Sequence, residues 1–200
     1  MSKRKSLGRF VITLTLCGVI LATPLMPPAM ALTWYDTNAP FVQQEKSMWC
    51  WAACSVSMLT TVGYHYTQWE HAMLIGQANM NNGRYLWDCA TDFKLFYNKN
   101  LYCPSSSTSD PRKTMTSSDI LSRITAGKPI MCHMVWNNGN GHIVLITACT
   151  QQTTYGVDLE IMDPAKSTWV YYSRDDFTDW YNYNSSSGTG GYWYTYAYIN

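Results

Sequence analysis

Charge is what this sequence has least of. Only 14% of its 200 residues are Asp, Glu, Lys or Arg, and the formal net charge is +1. No basic stripe runs through it, so it carries no electrostatic footprint for nucleic acid. No apolar run reaches the roughly 20 residues of a membrane-spanning helix, so no stable membrane insertion is expected of the mature chain. Internal repeats and polar linkers are also lacking. A composition that is 46% hydrophobic excludes disorder, and the length fits one domain with its own core. Against these absences stand 7 cysteines, 15 tyrosines and 9 tryptophans.

The little charge there is lies unevenly. Residues 1–31 hold Lys3, Arg4, Lys5 and Arg9 and no acidic side chain, and without them the balance turns weakly acidic. An apolar run over residues 10–22 follows, then Pro24, Pro27 and Pro28, then Ala29-Met30-Ala31. A basic start, a short apolar run and a small-x-small site make an export signal removed after Ala31. The expected organisation is therefore a signal peptide over 1–31 and a single domain over 32–200, secreted or periplasmic. Cys17 leaves with the signal, and the remaining cysteines enter a compartment where disulfides persist.

The mature chain changes its periodicity halfway. Residues 32–47 read as extended, with Pro40 interrupting. Residues 49–62 space Ala52, Ala53, Val56, Met58 and Leu59 as a buried helix that ends at Gly63. A second helix is expected over 67–78, with Trp69, Ala72, Met73 and Ile75 inward, and a short one over 91–97. Ser118-Asp119 caps another over 120–125, stopped by Gly127 and Pro129. From Pro129 the pattern is one of strands: 129–136, 142–149, 157–162, 168–172 and 191–199. The first two flank Asn137-Asn138-Gly139-Asn140-Gly141, a loop suited to positive φ. Helices first and an antiparallel sheet after them predict an α+β fold.

One constellation carries chemistry. Cys50 stands where an extended segment enters an apolar helix, in Gln44-Glu45-Lys46-Ser47-Met48-Trp49-Cys50-Trp51-Ala52-Ala53-Cys54. A helix's first turn offers unsatisfied N–H groups and the positive end of its dipole, and both favour a thiolate. The same N–H groups suit the oxyanion that forms when a thiolate attacks a carbonyl. A free cysteine titrates near 8.5, so a base must accompany it. His142, opening an apolar strand beside Gly141, is the candidate. A turn centred between residues 152 and 153 sets His142 opposite Asp163, whose carboxylate would then orient the imidazole.

These residues resemble papain-like cysteine peptidases. The fuller pattern is similar to the bacterial C39-like and C70 (AvrRpt2-type) branches. It comprises Gln44 six residues before Cys50-Trp51-Ala52-Ala53, Gly127-Lys128-Pro129 ahead of a strand, Gly141-His142 at a strand start, and Asp163-Pro164 ending the next. The resemblance implies a papain-like fold, with a central helix bearing the nucleophile packed on the sheet. It implies Cys50 as nucleophile, His142 as general base and acid, and Asp163 as the orienting group. Gln44 would donate its side-chain amide to the oxyanion hole. Only a short stretch, residues 32–43, precedes Gln44 in the expected mature chain, which leaves no room for a papain-type propeptide.

Other assignments stay open beside these. Cys54, one turn on, is a second candidate thiol, and His133 is the rival base. Trp49 and Gly141 are candidate walls of a substrate cleft. Cys89–Cys103 is the preferred structural bridge. Hairpin symmetry sets Cys132 opposite Cys149 and His133 opposite Ala148, which makes Cys132–Cys149 a second candidate disulfide. A zinc site from Cys50, Cys54, Cys132 and His133 is disfavoured, because the first pair lies in an apolar helix and the second points to opposite faces of a strand. No metal or organic cofactor is expected. The substrate is expected to be a protein or peptide, cleaved through an acyl-enzyme. Amidase, isopeptidase or acyl-transfer chemistry on cell-wall or protein substrates uses the same groups, and a non-catalytic binding module is a third reading. The Tyr- and Trp-rich tail either covers the sheet or stacks on a glycan or peptidoglycan surface.

Overall fold

An eleven-residue helix without a single charge cannot face water on any side. In the computed structural model that helix, α1 (Cys50–Thr60), is buried from Cys50 through Leu59. The structure describes residues 32–104, 112–151, 156–179, 181–184 and 189–200. The expected export signal with Cys17, and the turn at 152–155, lie outside the described residues. Residues Leu32–Asn200 form one compact unit.

Around α1 stand α2 (Gln68–Leu74) and α3 (Leu86–Tyr97), and later come α4 (Ser117–Thr125) and α5 (Arg174–Asp179). The strands are β1 (Trp34–Asp36), β2 (Leu101–Tyr102), β3 (Ile130–Trp136), β4 (Gly141–Thr150), β5 (Asp158–Met162), β6 (Val170–Ser173), β7 (Tyr181–Asn184) and β8 (Thr189–Ile199). They form one sheet ordered β2-β8-β3-β4-β5-β6, with β1 added to β4 and β7 to β8, and every pairing is antiparallel. The fold class is α+β, with helices and an antiparallel sheet as the residue pattern implied.

The pleat divides the core. Met131, Ile143, Leu145, Met162 and Ala197 point to one face and pack with α1, α2 and α3. Ile130, Cys132, Met134, Val144, Ile146 and Ile161 point to the other, where Ile120, Ile124, Phe177, Tyr181 and Trp193 cover them. Side chains two apart share a face. A strand covered on both sides therefore reads as a continuous apolar run, which is how Gly141-His142-Ile143-Val144-Leu145-Ile146 reads. Trp193 and Tyr181 are wholly buried and Tyr198 nearly so, so these tail aromatics serve the core.

Several expectations are corrected. The inward face of α2 is Gln68, His71 and Ala72, while Trp69 and Met73 are 49% and 53% exposed. Hydrogen bonds outweigh hydrophobicity here: Gln68 bridges the Gln43 carbonyl and the Glu45 N–H, and His71 Nδ1 lies 2.6 Å from the Tyr97 hydroxyl. His71 is thus buried. Helix α3 begins at Leu86, well before residue 91, because the Asp88 carboxylate caps it through the Tyr85 N–H. It ends at Asn98 in the left-handed region, φ 51°. Strand β1 falls in the stretch expected to be extended, while strands β2 and β7 and helix α5 were not expected.

The β3–β4 register also differs. Cys132 faces Val144 and His133 faces Ile143, while Cys149 pairs with Tyr35 and Leu159. Cys132 and Cys149 are therefore no cross-strand pair. Cys89 is buried on α3 and Cys103 packs against the same cluster, yet neither is bonded to the other. Among the described residues every cysteine is a free thiol. Because Leu145 is wholly buried between the sheet and α1, Leu145→Ala should lose about 2–5 kcal/mol of stability. Urea unfolding followed by far-UV circular dichroism measures the loss. Thr67→Ala, which removes the α2 cap, should lose only about 1 kcal/mol in the same assay.

Candidate active site

The site is assembled from chain ends. Cys50 opens α1, His142 is the second residue of β4, and Asp163 follows the last residue of β5. Element ends put side chains at a surface while their elements stay buried, and a cleft of about 520 Å³ opens there. Its walls include Met48, Cys50 and Arg84 on one side, and His133, Gly141 and His142 on the other.

His142 and Asp163 meet directly, with Nε2 2.7 Å from Oδ1. The register that brings them together is not the expected one. Leu145 pairs with Met162 and Ile146 with Ile161, so the β4–β5 pairing runs two positions off a direct His142–Asp163 match. An Asx turn closes the gap. Pro164 ends the strand, and the Ala165 N–H donates to Asp163 Oδ1 at 3.0 Å, which turns the carboxylate toward His142. The nitrogen left to the ring, Nδ1, is available to Cys50, whose hydrogen bond and charge both act on the imidazole. Burial pulls His142 down, but Asp163 and Cys50 together hold it protonated up to about 9. Burial pushes Asp163 up, and the bonds from His142, Tyr181 and Ala165 overcome it, leaving the carboxyl below its ordinary range.

Two aromatic residues that the sequence reading passed over complete the surroundings. The Trp136 indole stacks on the His142 ring at 6.1 Å and 23°, and the Tyr181 hydroxyl donates to Asp163 Oδ2 at 2.7 Å. Trp136 ends the strand just before the Asn-Gly loop, a position that does hint at the site. Tyr181 lies in a run of aromatics where nothing singles it out.

The rival histidine differs in every partner. His133 pairs with Ile143 instead of the expected Ala148, and Met134 pairs with His142, so the two imidazoles alternate across the pleat. His133 is mostly buried, its Nδ1 has no partner among the described residues, and both burial and the charge of His142 lower its pKa. Gly141 lines the cleft. A Cβ there would come 2.5 Å from His133 Nε2, so a larger residue would have to displace the His133 ring. Cys54 is wholly buried, bonds to the Ile143 carbonyl, and has its thiol pushed up by burial.

Trp49 is not a wall of the cleft. It is buried at the N-terminus of α1 with its Nε1–H on the Met80 carbonyl, and its neighbour Met48 takes the exposed place. Gln44 is bound within the loop that leads into Cys50. Its amide donates to the carbonyls of Lys46 at 3.1 Å and Ser47 at 2.8 Å, so both N–H groups are engaged by the loop leading into Cys50. Its backbone N–H donates to the Pro164 carbonyl, joining the Gln44 segment to the Asp163 turn. Arg84, the cation beside the cleft, is paired with Asp92 at 2.7 Å.

A family model described as papain-like cysteine protease AvrRpt2 matches residues 33–182. That span takes in all three residues, Cys50, His142 and Asp163. No curated protein matches the chain.

The His142–Asp163 pair sets a pH dependence of stability. His142 is raised in the fold, so its contribution is whole below 6.5 and is lost as pH rises through about 9. Asp163 is lowered, so its contribution is whole above about 3.9 and is lost as pH falls through its depressed value. Urea midpoints measured from pH 3 to 10 should therefore fall on both sides of a plateau. Asp163→Asn should flatten the alkaline slope between 6.5 and about 9, and an unchanged slope would remove the pair as its cause.

Proposed function

The chain belongs to the papain-like cysteine proteases, and from that premise we propose that it is an exported peptidase using Cys50, His142 and Asp163. The observation that carries the assignment is the His142 ring, bonded to Asp163 through Nε2 and acted on by Cys50 at the head of a buried helix. A protein substrate laid in the cleft presents its scissile carbonyl to the Cys50 sulfur. The thiolate adds to the carbonyl carbon, and the first-turn N–H groups of α1 receive the oxyanion. His142, protonated near neutrality, gives its proton to the leaving amine as the acyl-enzyme forms. It then takes a proton from water, which releases the acid product and restores the thiolate. Asp163 stays ionised and keeps the ring turned toward Cys50.

Gln44 joins the oxyanion hole in this reading by exchanging one of its loop carbonyls for the oxyanion. Its place six residues before Cys50, in the loop that leads into the nucleophile, supports the role. Export rests on residues 1–31: basic residues, a short apolar run and Ala29-Met30-Ala31, with the mature chain beginning at Leu32. The compartment is then the periplasm or the outside of the cell.

Cys50→Ala should fold with a near-native melting temperature and lose all cleavage of denatured protein substrates, scored by mass spectrometry of new termini. Full activity in that variant would end the proposal. Gln44→Ala should lower kcat by about 10²–10³ with KM little changed. Intact mass of the exported protein should correspond to residues 32–200.

A further inference from the structure

A buried carboxylate has two oxygens to satisfy, and a histidine accounts for only one. At Asp163, Oδ1 takes His142 and the Ala165 N–H, while Oδ2 accepts from the Tyr181 hydroxyl at 2.7 Å. Tyr181 is wholly buried on β7. Its ring is held by Trp136 at 5.9 Å, Tyr172 at 5.2 Å and Phe177 at 5.5 Å. The same Trp136 stacks on His142, so one indole touches the ring that Asp163 orients and the ring that orients Asp163.

We propose that Tyr181 is a positioning residue for hydrolysis: its hydroxyl keeps Asp163 ionised and fixes which oxygen faces His142, making β7 part of the active site. The inference rests on the Cys50–His142–Asp163 reading. A carboxylate held at Oδ1 alone can rotate and exchange its oxygens. A donor on Oδ2, carried by a ring that cannot move, removes that freedom. Tyr181 must remain a donor to do this, and it does, because burial and the charge of Asp163 both push its phenol far above the ordinary value. The titratable groups facing the pair are His142 from β4, Cys54 from α1 and Tyr172 from β6, with Cys50 acting through His142. Cys54 is buried with its thiol pushed up, so it stays neutral and does not compete for the role.

Tyr181→Phe removes one oxygen and leaves the ring. Carboxyl-carbon NMR of protein labelled at aspartate, with Asp163 assigned by its loss in Asp163→Asn, should show the Asp163 midpoint rising by about one unit in Tyr181→Phe. That rise corresponds to a hydrogen bond to a charged group of ordinary strength. Iodoacetamide labelling of Cys50 should slow severalfold at mildly acidic pH in the same variant. A role confined to packing would lower the melting temperature at every pH and leave the midpoint where it was, and that result overturns the inference. Should Tyr181→Phe fail to fold, 3-fluorotyrosine placed at 181 decides instead. It keeps shape and hydroxyl but donates more strongly, so the midpoint should fall, and an unmoved midpoint again overturns the inference. A native Cys50 that does not react with iodoacetamide would overturn the functional reading itself, and is told apart because it is seen without any change at 181.

Discussion

A carboxylate with almost no access to water sits where three separate parts of the chain meet, and much of the rest is arranged to keep it charged. Burying an unpaired carboxylate costs many kcal/mol, so the fold must supply donors or the group takes a proton. Asp163 receives them from a strand start, from its own turn and from β7. None of these donors could be replaced from one stretch of sequence. The site therefore exists only when β4, β5 and β7 are all in the sheet, which ties the chemistry to the completed fold.

The opposite wall of the cleft is built by a different device. Two loops, residues 44–49 and 78–84, are fastened to each other by side chains that reach across to backbone. Trp49 and Trp51 donate to the carbonyls of Met80 and Asn82, the Asn81 side-chain Oδ1 accepts from the Met48 N–H, and Lys46 donates to the Ala78 carbonyl while lying 4.0 Å over the Trp49 ring. Loops have no ladder of their own, so their polar groups must be answered individually. This lacing holds the segment entering α1, and with it the position of Cys50, without charge pairs that salt would screen.

What could be read from the sequence follows from how local each signal is. Helix α1 announced itself because an uncharged run with mixed three- and four-residue spacing has few other uses. The Cys50 and His142 positions were legible for the same reason: each stands at the start of an element, Cys50 first in α1 and His142 second in β4. The match to the papain-like family spans both. Asp163 was found through a register that proved wrong by two positions, and the pair survived because an Asx turn, not strand pairing, delivers the carboxylate. The buried face of α2 misled, since its hydrogen bonds come from Gln43, Glu45 and Tyr97, far off in sequence. Tyr181 was invisible among fifteen tyrosines. A hydroxyl bond across the core leaves no periodic trace.

Two histidines stand in one cleft, and their partners alone separate them. His142 has an acid on one nitrogen and a thiol acting on it as well, and these outweigh burial. His133 has burial, a positively charged neighbour and, among the described residues, no partner at Nδ1, all of which favour its neutral form. Opposite environments push like groups apart in pKa, and that separation is what lets one ring carry the proton while the other does not compete for it. Gly141 makes the arrangement sterically feasible, because the His133 ring occupies the space a side chain there would fill. With the His133 ring where it stands, the residue beside the candidate base must lack a side chain. Flexibility of the strand start is no part of that requirement: Gly141 is paired with Val135 in the sheet and has no positive φ.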